Sequence, residues 1–352
     1  MSAENHNNFY GAADLAALAE IVEHFPGKGI VLFGDFVADE FQFGDISRVS
    51  REAPVLILRH RETRVVPGGG ANAANNLAAL GAKVFPVTVV GDDLAGDALT
   101  RYFRSIGVPT NGVVRAKDWS TPTKTRFLAG WTHTVPQQVL RVDREPQRLP
   151  GDSVLAKIKS ALHARLKKAD ALAISDYGFG VASPASIGEV LRASKRAIPV
   201  ALDARYGLDS YAAAGITAAT PNEAELESLH HVDIGRDLGK LERCGRLTLK
   251  HMKLQSLLVT RGKDGMALFE RGAKKVAHIP VHGSDQAVDV TGAGDTVLAA
   301  FTLALACGAA PFEAAHIANI AGGIVVMKRG TAAVTHAELL AAIRSEASGG
   351  AA

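Results

Sequence analysis

The segment from Asp289 to Asp295 reads DVTGAGD and runs straight into a long apolar stretch, TVLAAFTLALA. A turn of this composition opening a helix puts unpaired backbone N–H groups, the positive end of the helix dipole and one carboxylate, Asp295, at a single point. Gly292 and Gly294 let that backbone approach a ligand without a Cβ in the way. Phosphoryl transfer to a hydroxyl is the chemistry that uses this combination. The amides of Gly292, Ala293 and Gly294 stabilise charge on the moving group, and Asp295 takes the hydroxyl proton. An acid near an ordinary Gly-rich helix start has the same local sequence, so the rest of the chain must decide.

A second glycine cluster, PGGGANAANNLAALGA, spans Pro67 to Ala82. Gly68, Gly69 and Gly70 permit close backbone contact, and Asn72 offers both donors and an acceptor, the mixed surface that vicinal sugar hydroxyls need. Gly68, Gly70 and Ala73 also fit G-x-G-x-x-A, but a dinucleotide fingerprint must follow the first buried strand directly, and that strand ends near Gly34. Asp35 and Asp39, just beyond it, either accept from sugar hydroxyls or act as turn acids. Asn222 and Glu225, in TPNEAELE, have capping-box spacing and equally suit magnesium and its waters beside nucleotide phosphates. TRGKDG, from Thr260 to Gly265, is a glycine turn after a strand, able to lie along a nucleotide or to serve as a plain hairpin.

Several short apolar runs must position these residues. GIVLFGDFVADEF begins at Gly29, and ALAISD (171–176), IPVALDA (198–204), ITAATPN (216–222) and SLLVTRG (256–262) each follow a helical stretch. Strands alternating with helices predict a mostly parallel sheet covered on both faces, with ligands at the strands' carboxyl ends. Asp35, Asp176, Asp203, Asn222 and Thr260 lie at those ends. Residues about 40–66 and 113–145 alternate apolar and polar types instead and read as a small antiparallel lid. Residues 1–28 read as a helical extension that docks, 29–345 as one α/β domain, and 346–352 as a disordered tail.

Of the 352 residues, 47% are hydrophobic and 21% charged, with a net charge of +3, which is a soluble globular composition without a basic block for nucleic acid. Arg48, Arg51, Arg59, Arg61 and Arg64, and later Lys124, Arg126, Arg141 and Arg144, are either solvated strand faces or a grip on a phosphorylated small molecule. Cys244 and Cys307 have no metal or disulfide spacing, which fits a reducing cytoplasm, and the polar N-terminus lacks a signal-peptide pattern. The apolar region Val297–Val326 is broken by Gly308, Pro311, Glu313, His316 and Asn319, so it reads as two buried helices and not a membrane span. G-x-x-x-x-G-K-[ST], H-E-x-x-H and G-x-S-x-G are all absent.

In order and spacing, GGGAN, N-x-x-E and DVTGAGD resemble the PfkB, or ribokinase-like, carbohydrate kinases, and the likeness runs from about residue 29 to 343. The resemblance implies a ribokinase-like three-layer α/β sandwich with a β-lid, ATP as donor, Mg²⁺, and Asp295 as base with Gly292, Ala293 and Gly294 as anion hole. It implies that Asp39, Gly69, Gly70 and Asn72 hold the sugar, and that Asn222 and Glu225 order phosphate and magnesium, Glu225 through water. Thr260, Gly262, Gly265 and Asn319 then flank the nucleotide. Asp289 and Thr291 either shape the turn or border a K⁺ site, as in some relatives. SRVSREAPV (47–55), QQVLRVDRE (137–145), ISDYGFG (174–180), LLVTRGKDGM (257–266) and VVMKRGTAAVT (325–335) are similar to the D-glycero-β-D-manno-heptose 7-phosphate kinases. That similarity implies phosphorylation at the anomeric hydroxyl to the 1,7-bisphosphate, in the synthesis of ADP-heptose for lipopolysaccharide core, with Arg48, Lys124, Arg126 and Arg141 gripping the 7-phosphate. Bifunctional relatives add a nucleotidyltransferase with His-x-Gly-His, a motif this sequence lacks, so only the kinase step is expected.

FVADEFQFGD and Asp203-Ala204-Arg205 depart from the family's pattern, which leaves open a kinase of another sugar, such as a ketose phosphate or a pentose. A non-catalytic sugar-phosphate or nucleotide sensor is the reading from another class, and the intact Asp295, Asn222 and Glu225 argue against it. A nicotinamide oxidoreductase rests only on the glycine mimic. Unpaired lid edges predict a homodimer.

Overall fold

The continuous apolar runs of the sequence become the middle of one large sheet. A computed structural model describes residues 13–131, 135–194, 196–283 and 287–349. Helix α1 (Leu15–Glu23) is followed by β1 (Gly29–Gly34), β2 (Phe36–Val49), β3 (Leu56–Gly69), α2 (Gly70–Ala79), β4 (Lys83–Gly91), α3 (Leu94–Ser105) and β5 (Val113–Ala116). Next come β6 (Thr123–Gly130), β7 (Gln137–Arg144), α4 (Asp152–Leu166), β8 (Ala171–Asp176), α5 (Pro184–Ser194), β9 (Val200–Ala204) and β10 (Ala218–Ala219). The remainder is α6 (Glu223–His230), α7 (Leu238–His251), β11 (Ser256–Thr260), β12 (Met266–Glu270), β13 (Ala277–Ile279), α8 (Ala293–Ala306), α9 (Pro311–Val325) and α10 (His336–Gly349).

The nine-stranded sheet has the order β13-β12-β11-β10-β9-β8-β1-β4-β5. Pairing is parallel from β5 across to β11, and the hairpin partners β12 and β13 close one edge antiparallel. Every residue of β1 is buried, because a central strand between two helical layers has no solvated face. Its side chains alternate between two cores: Ile30 and Leu32 join the helices that include α8 and α9, while Val31 and Phe33 join those that include α4 and α7. That is the expected three-layer α/β sandwich. The chain leaves β1 toward β4 on one side and returns as β8 on the other, so a crevice opens at the carboxyl ends of β1 and β8.

The second sheet has the order β3-β2-β6-β7. Its outer pairs are antiparallel, as expected of the lid, but the central pair β2–β6 is parallel. The lid also reaches further than 40–66, since β2 starts at Phe36 and β3 ends at Gly69. Residues Val113–Ala116, expected in the lid, instead pair with β4 at the edge of the large sheet. A four-residue strand is too short for its alternation to specify which sheet it joins.

Helix α1 belongs to the same core as the rest. Leu18, Val22 and Phe25 are fully buried and pack in the cluster that holds Leu339 and Ile343 of α10. His336 Nε2 lies 3.0 Å from the Val22 carbonyl, and Arg344 pairs with Glu23. The extension therefore docks on its own chain from Leu15 onward. Helix α10 continues to Gly349, so 346–349 are helical where a disordered tail was expected; residues 1–12 and 350–352 lie outside the described residues.

Candidate active site

Asp295 sits in the first turn of α8 and is 3% exposed. No side chain caps this helix, whose N-cap is Gly292 at φ +79°. That left-handed backbone suits glycine, and a Cβ here would also lie 2.4 Å from Asn72 Nδ2. At Gly294 the nearest atom to an added Cβ is Asp203 Oδ2 at 3.9 Å, so the backbone faces open space. The Asp295 carboxylate accepts from Asn72 Nδ2 at 2.9 Å and from the Tyr177 hydroxyl at 3.1 Å. Burial pushes its pKa up to about 7 against these two hydrogen bonds, with Asp39 adding to the rise and Lys124 opposing it. A carboxyl with that pKa can give and take a proton near neutral pH.

Asn72 is held from below. Asn76 Nδ2 donates to its Oδ1 at 3.2 Å, and Asn76 in turn accepts from Thr296 Oγ1 and from the Val334 amide. The second glycine cluster thus supplies an amide that orients Asp295; with one N–H on Asp295 and a 3.4 Å contact to the Gly292 carbonyl, Asn72 retains only spare acceptor capacity for a sugar. Gly69, at φ +54°, leaves room for Tyr177, whose Cε2 would be 3.1 Å from an added Cβ. Gly70 donates its N–H to the Asp35 carbonyl at 2.9 Å.

Asp35 and Asp39 separate in role. Asp35 is fully buried and accepts the backbone N–H groups of Tyr177, Phe179 and Val181, so it builds the loop that carries Tyr177 instead of facing a ligand. Burial, aided by Asp176, raises its pKa to about 7. Asp39 stands at the lid base, paired with Arg126 at 2.7 Å and accepting from Thr331 Oγ1 at 3.1 Å.

Asn222 and Glu225 form a complete capping box on α6: the Glu225 N–H donates to Asn222 Oδ1 at 2.8 Å, and the Asn222 N–H to Glu225 Oε2 at 2.9 Å. Asn222 also bridges to Thr260 at the end of β11. Gly265 packs on Ile279 and Pro280, and the Pro280 carbonyl accepts from Asn319 Nδ2 at 2.8 Å, which links the turn after β11 to α9. Gly262, in the same turn, has open space around it. Asp289 accepts from the Thr291 and Gly330 amides, one on each carboxylate oxygen, so it shapes the turn. Burial raises its pKa, but these hydrogen bonds prevail and hold it below the usual value.

Sequence reasoning placed Asp203 only at a strand end, and it missed Tyr177. Asp203 reaches toward Gly294, and burial first, then Glu225, Asp295 and Asp176, push its carboxyl well above the ordinary range. Burial likewise raises Glu225, against its capping bonds and Arg205. Two carboxylates held at such a cost fit a site that receives a cation, although no cluster of three or more His, Cys, Asp or Glu with metal-binding geometry occurs among the described residues. The signal for Tyr177 was its place next to a strand-end acid in ISDYGFG.

Beside Tyr177 opens a cavity of about 380 Å³, lined by Lys124 and Arg141 from the lid, by Arg148 from the connection between β7 and α4, and by Arg205 just after β9. Arg141 lines it while bound to Asp143 through Nε at 2.7 Å and Nη2 at 2.6 Å. Arg48 does not: it is exposed near the far end of β2, about 30 Å along the strand from Asp39 at about 3.3 Å per residue.

Residues 30–338 match the pattern described as pfkB family carbohydrate kinase. The chain belongs to the pfkB family. Among curated relatives, this pfkB kinase is 38% identical to bifunctional protein HldE of Paramagnetospirillum magneticum, over 95% of the chain and 67% of the relative. It is 40% identical to bifunctional protein HldE of Geobacter metallireducens, over 88% of the chain and 62% of the relative. It therefore spans about two thirds of the length of those proteins. In fold, the pfkB kinase is similar to phosphofructokinase-2 from Escherichia coli in complex with potassium, with a TM-score of 0.71 at 17% identity, covering 92% of this chain and 99% of that one. It is also similar to Arabidopsis thaliana ribokinase complexed with ribose and ATP, with a TM-score of 0.69 at 20% identity, covering 91% and 99%. Among the described residues no helix is long and apolar enough to cross a membrane.

Proposed function

We propose that the chain transfers the terminal phosphoryl of ATP to the anomeric hydroxyl of D-glycero-β-D-manno-heptose 7-phosphate, forming the 1,7-bisphosphate, the kinase step toward ADP-heptose. The observation that carries this reading is Asp295, buried at the open start of α8 with Asn72 and Tyr177 on its carboxylate and a basic cavity that Tyr177 also lines. The likeness to the HldE proteins over nearly the whole chain supports the substrate.

In this mechanism the sugar O1 attacks the terminal phosphorus while the bond from that phosphorus to the bridging oxygen of ADP breaks, and the O1 proton passes to Asp295. Asn72 and Tyr177 aim the carboxylate, and the first-turn amides of α8 meet the charge on the moving phosphoryl. Asp39, Gly69 and Gly70 border the sugar. Asn222, Thr260, Gly262, Gly265 and Asn319 border the nucleotide. Asp203 and Glu225 are the residues that would hold Mg²⁺ through its waters, and the ion supplies neutralisation of phosphate charge when bound. No phosphoenzyme is needed. A monovalent cation near Asp289 and Thr291 would rest on backbone carbonyls, since both Asp289 oxygens already accept N–H groups.

Pairing of two copies through the lid is part of the proposal: β3 and β7 are its edges, and Val139, Leu140 and Val142 of β7 are 45%, 55% and 48% exposed. A monomeric mass by light scattering at working concentration would remove it. A cytoplasmic setting fits an ATP-dependent step. The substrate is tested by ADP release with MgATP against heptose 7-phosphate, sedoheptulose 7-phosphate, fructose 6-phosphate, ribose and fructose; preference for the heptose supports it, and preference for another sugar moves the same chemistry to that sugar.

A further inference from the structure

The cavity beside Tyr177 is more basic than acidic, with Lys124, Arg141, Arg148 and Arg205 against Asp143 and Glu145. The four cations are not equally available. Arg141 spends one edge of its guanidinium on Asp143. Arg126, deeper in the lid, is tied to Asp39 in a pair only 13% and 6% exposed. Lys124 is half-buried with its ammonium 5.2 Å from the centre of the Tyr177 ring. Burial, and after it the repulsion of Arg205 and Arg141, opposes its charge, with Asp39 working the other way. Arg205 and Arg148 differ. Both are exposed, and among the described residues neither makes an ion pair within 4.0 Å, although Arg205 is near enough to Glu225 to favour its charge. The Arg205 guanidinium carbon stands 5.7 Å from the Tyr206 ring centre, a cation–π contact.

We infer that Arg205, just after β9, and Arg148, in the connection from β7 to α4, grip the distal phosphate of a phosphorylated sugar, while Arg126 and Arg141 brace the lid. This rests on the sugar-phosphate reading above and changes which residues carry it. Arg205 and Arg141 both repel the Lys124 ammonium, and a phosphate monoester dianion in the cavity would attract all three. An unpaired guanidinium fork meets such an anion with two parallel N–H···O bonds. Tyr177 touches Asp295 with its hydroxyl and also lines the cavity, which Asp295 does not line, so one aromatic side chain connects the base to a basic cavity beside it. That arrangement suits a sugar phosphorylated away from the reacting hydroxyl. The connection that carries Arg148 passes close to the Tyr177 loop, since the Cδ2 of Leu149 would lie 2.5 Å from a Cβ added at Gly180.

The test uses Arg205→Gln, Arg148→Gln and Arg141→Gln in the full chain. Loss of one charge-assisted, bidentate contact should raise KM for heptose 7-phosphate about 10- to 100-fold in each of the first two variants, with KM for MgATP within about 2-fold. Arg141→Gln should have a several-fold smaller effect. Inorganic phosphate gives a readout independent of turnover: it should raise the thermal midpoint of the wild type and fail to do so in Arg205→Gln. An unchanged KM for the sugar phosphate with unchanged phosphate stabilisation in both variants overturns the inference, as does a rise in KM for MgATP instead. If the wild type prefers an unphosphorylated sugar, the proposed substrate fails. Phosphate stabilisation lost in Arg205→Gln would then still locate an anion site, and its absence in the wild type would remove that site too.

Discussion

Replacing Tyr177 by Phe removes one of the two hydrogen bonds on the Asp295 carboxylate, the 3.1 Å contact to Oδ1, and leaves the 2.9 Å bond from Asn72. The hydroxyl favours the charged carboxylate, so its loss should raise the pKa. A hydrogen bond to an ionised group contributes about 1.5–3 kcal/mol, and one pKa unit corresponds to about 1.4 kcal/mol. The variant's carboxyl should therefore titrate about one to two units higher than the wild type, which burial already places at about 7. The other charged groups facing Asp295, Asp39 and Lys124 from the lid and Asp203 from β9, are unchanged by the substitution. At pH 7 roughly half of the wild-type base is ionised, against roughly one tenth to one hundredth in the variant, so kcat/KM should fall about 5- to 50-fold and recover as pH rises past about 9. The assay is the acidic limb of kcat/KM against pH, which reports the base of the free enzyme. A mere packing defect would lower the whole curve without moving it. Coincident limbs in wild type and Tyr177→Phe would refute the assignment of Asp295 as base, of Tyr177 as its partner, or both.

Gly292→Ala places a Cβ 2.4 Å from Asn72 Nδ2 on a backbone at φ +79°, so kcat should drop at least about 100-fold through displacement of Asn72 and the amides; a near-normal kcat would contradict that geometry. Arg126→Gln leaves Asp39 without its partner in a largely buried pair, which should cost about 3–5 kcal/mol of stability; an unchanged urea midpoint would count against it. Leu18→Ala, at a fully buried position where α1 meets the core, should cost about 2–5 kcal/mol. If the denaturation midpoint stays put, α1 does not dock as described.

The layout of the sandwich was legible where a strand is buried on both faces. Runs such as GIVLFG and ALAISD have no polar side chain until their last residues, and they became β1 and β8 with acids at the crevice. The lid was legible in outline only. Alternation marks a half-buried strand but not its partner, which is why the parallel pairing of β2 with β6 and the placement of Val113–Ala116 beside β4 were not foreseen. Within the site, DVTGAGD announced the helix start because the signal is local. Tyr177 and Asp203 were not announced, since their relation to Asp295 exists only once β8 and β9 lie under α8. Asp35 and Asp39 have similar sequence surroundings but different partners. Asp35, between β1 and β2, accepts from the 177–181 loop and Asp39, within β2, pairs with Arg126 at the lid base, a distinction set by where the chain passes from one sheet to the other, which composition does not carry.

Steady-state ADP release from MgATP and D-glycero-β-D-manno-heptose 7-phosphate, compared between wild type and Asp295→Asn, tests the central claim most directly. The account predicts turnover by the wild type and a loss of about 100- to 10,000-fold in the variant, the range of general-base catalysis, with nucleotide binding retained. Wild-type rates in Asp295→Asn would contradict it.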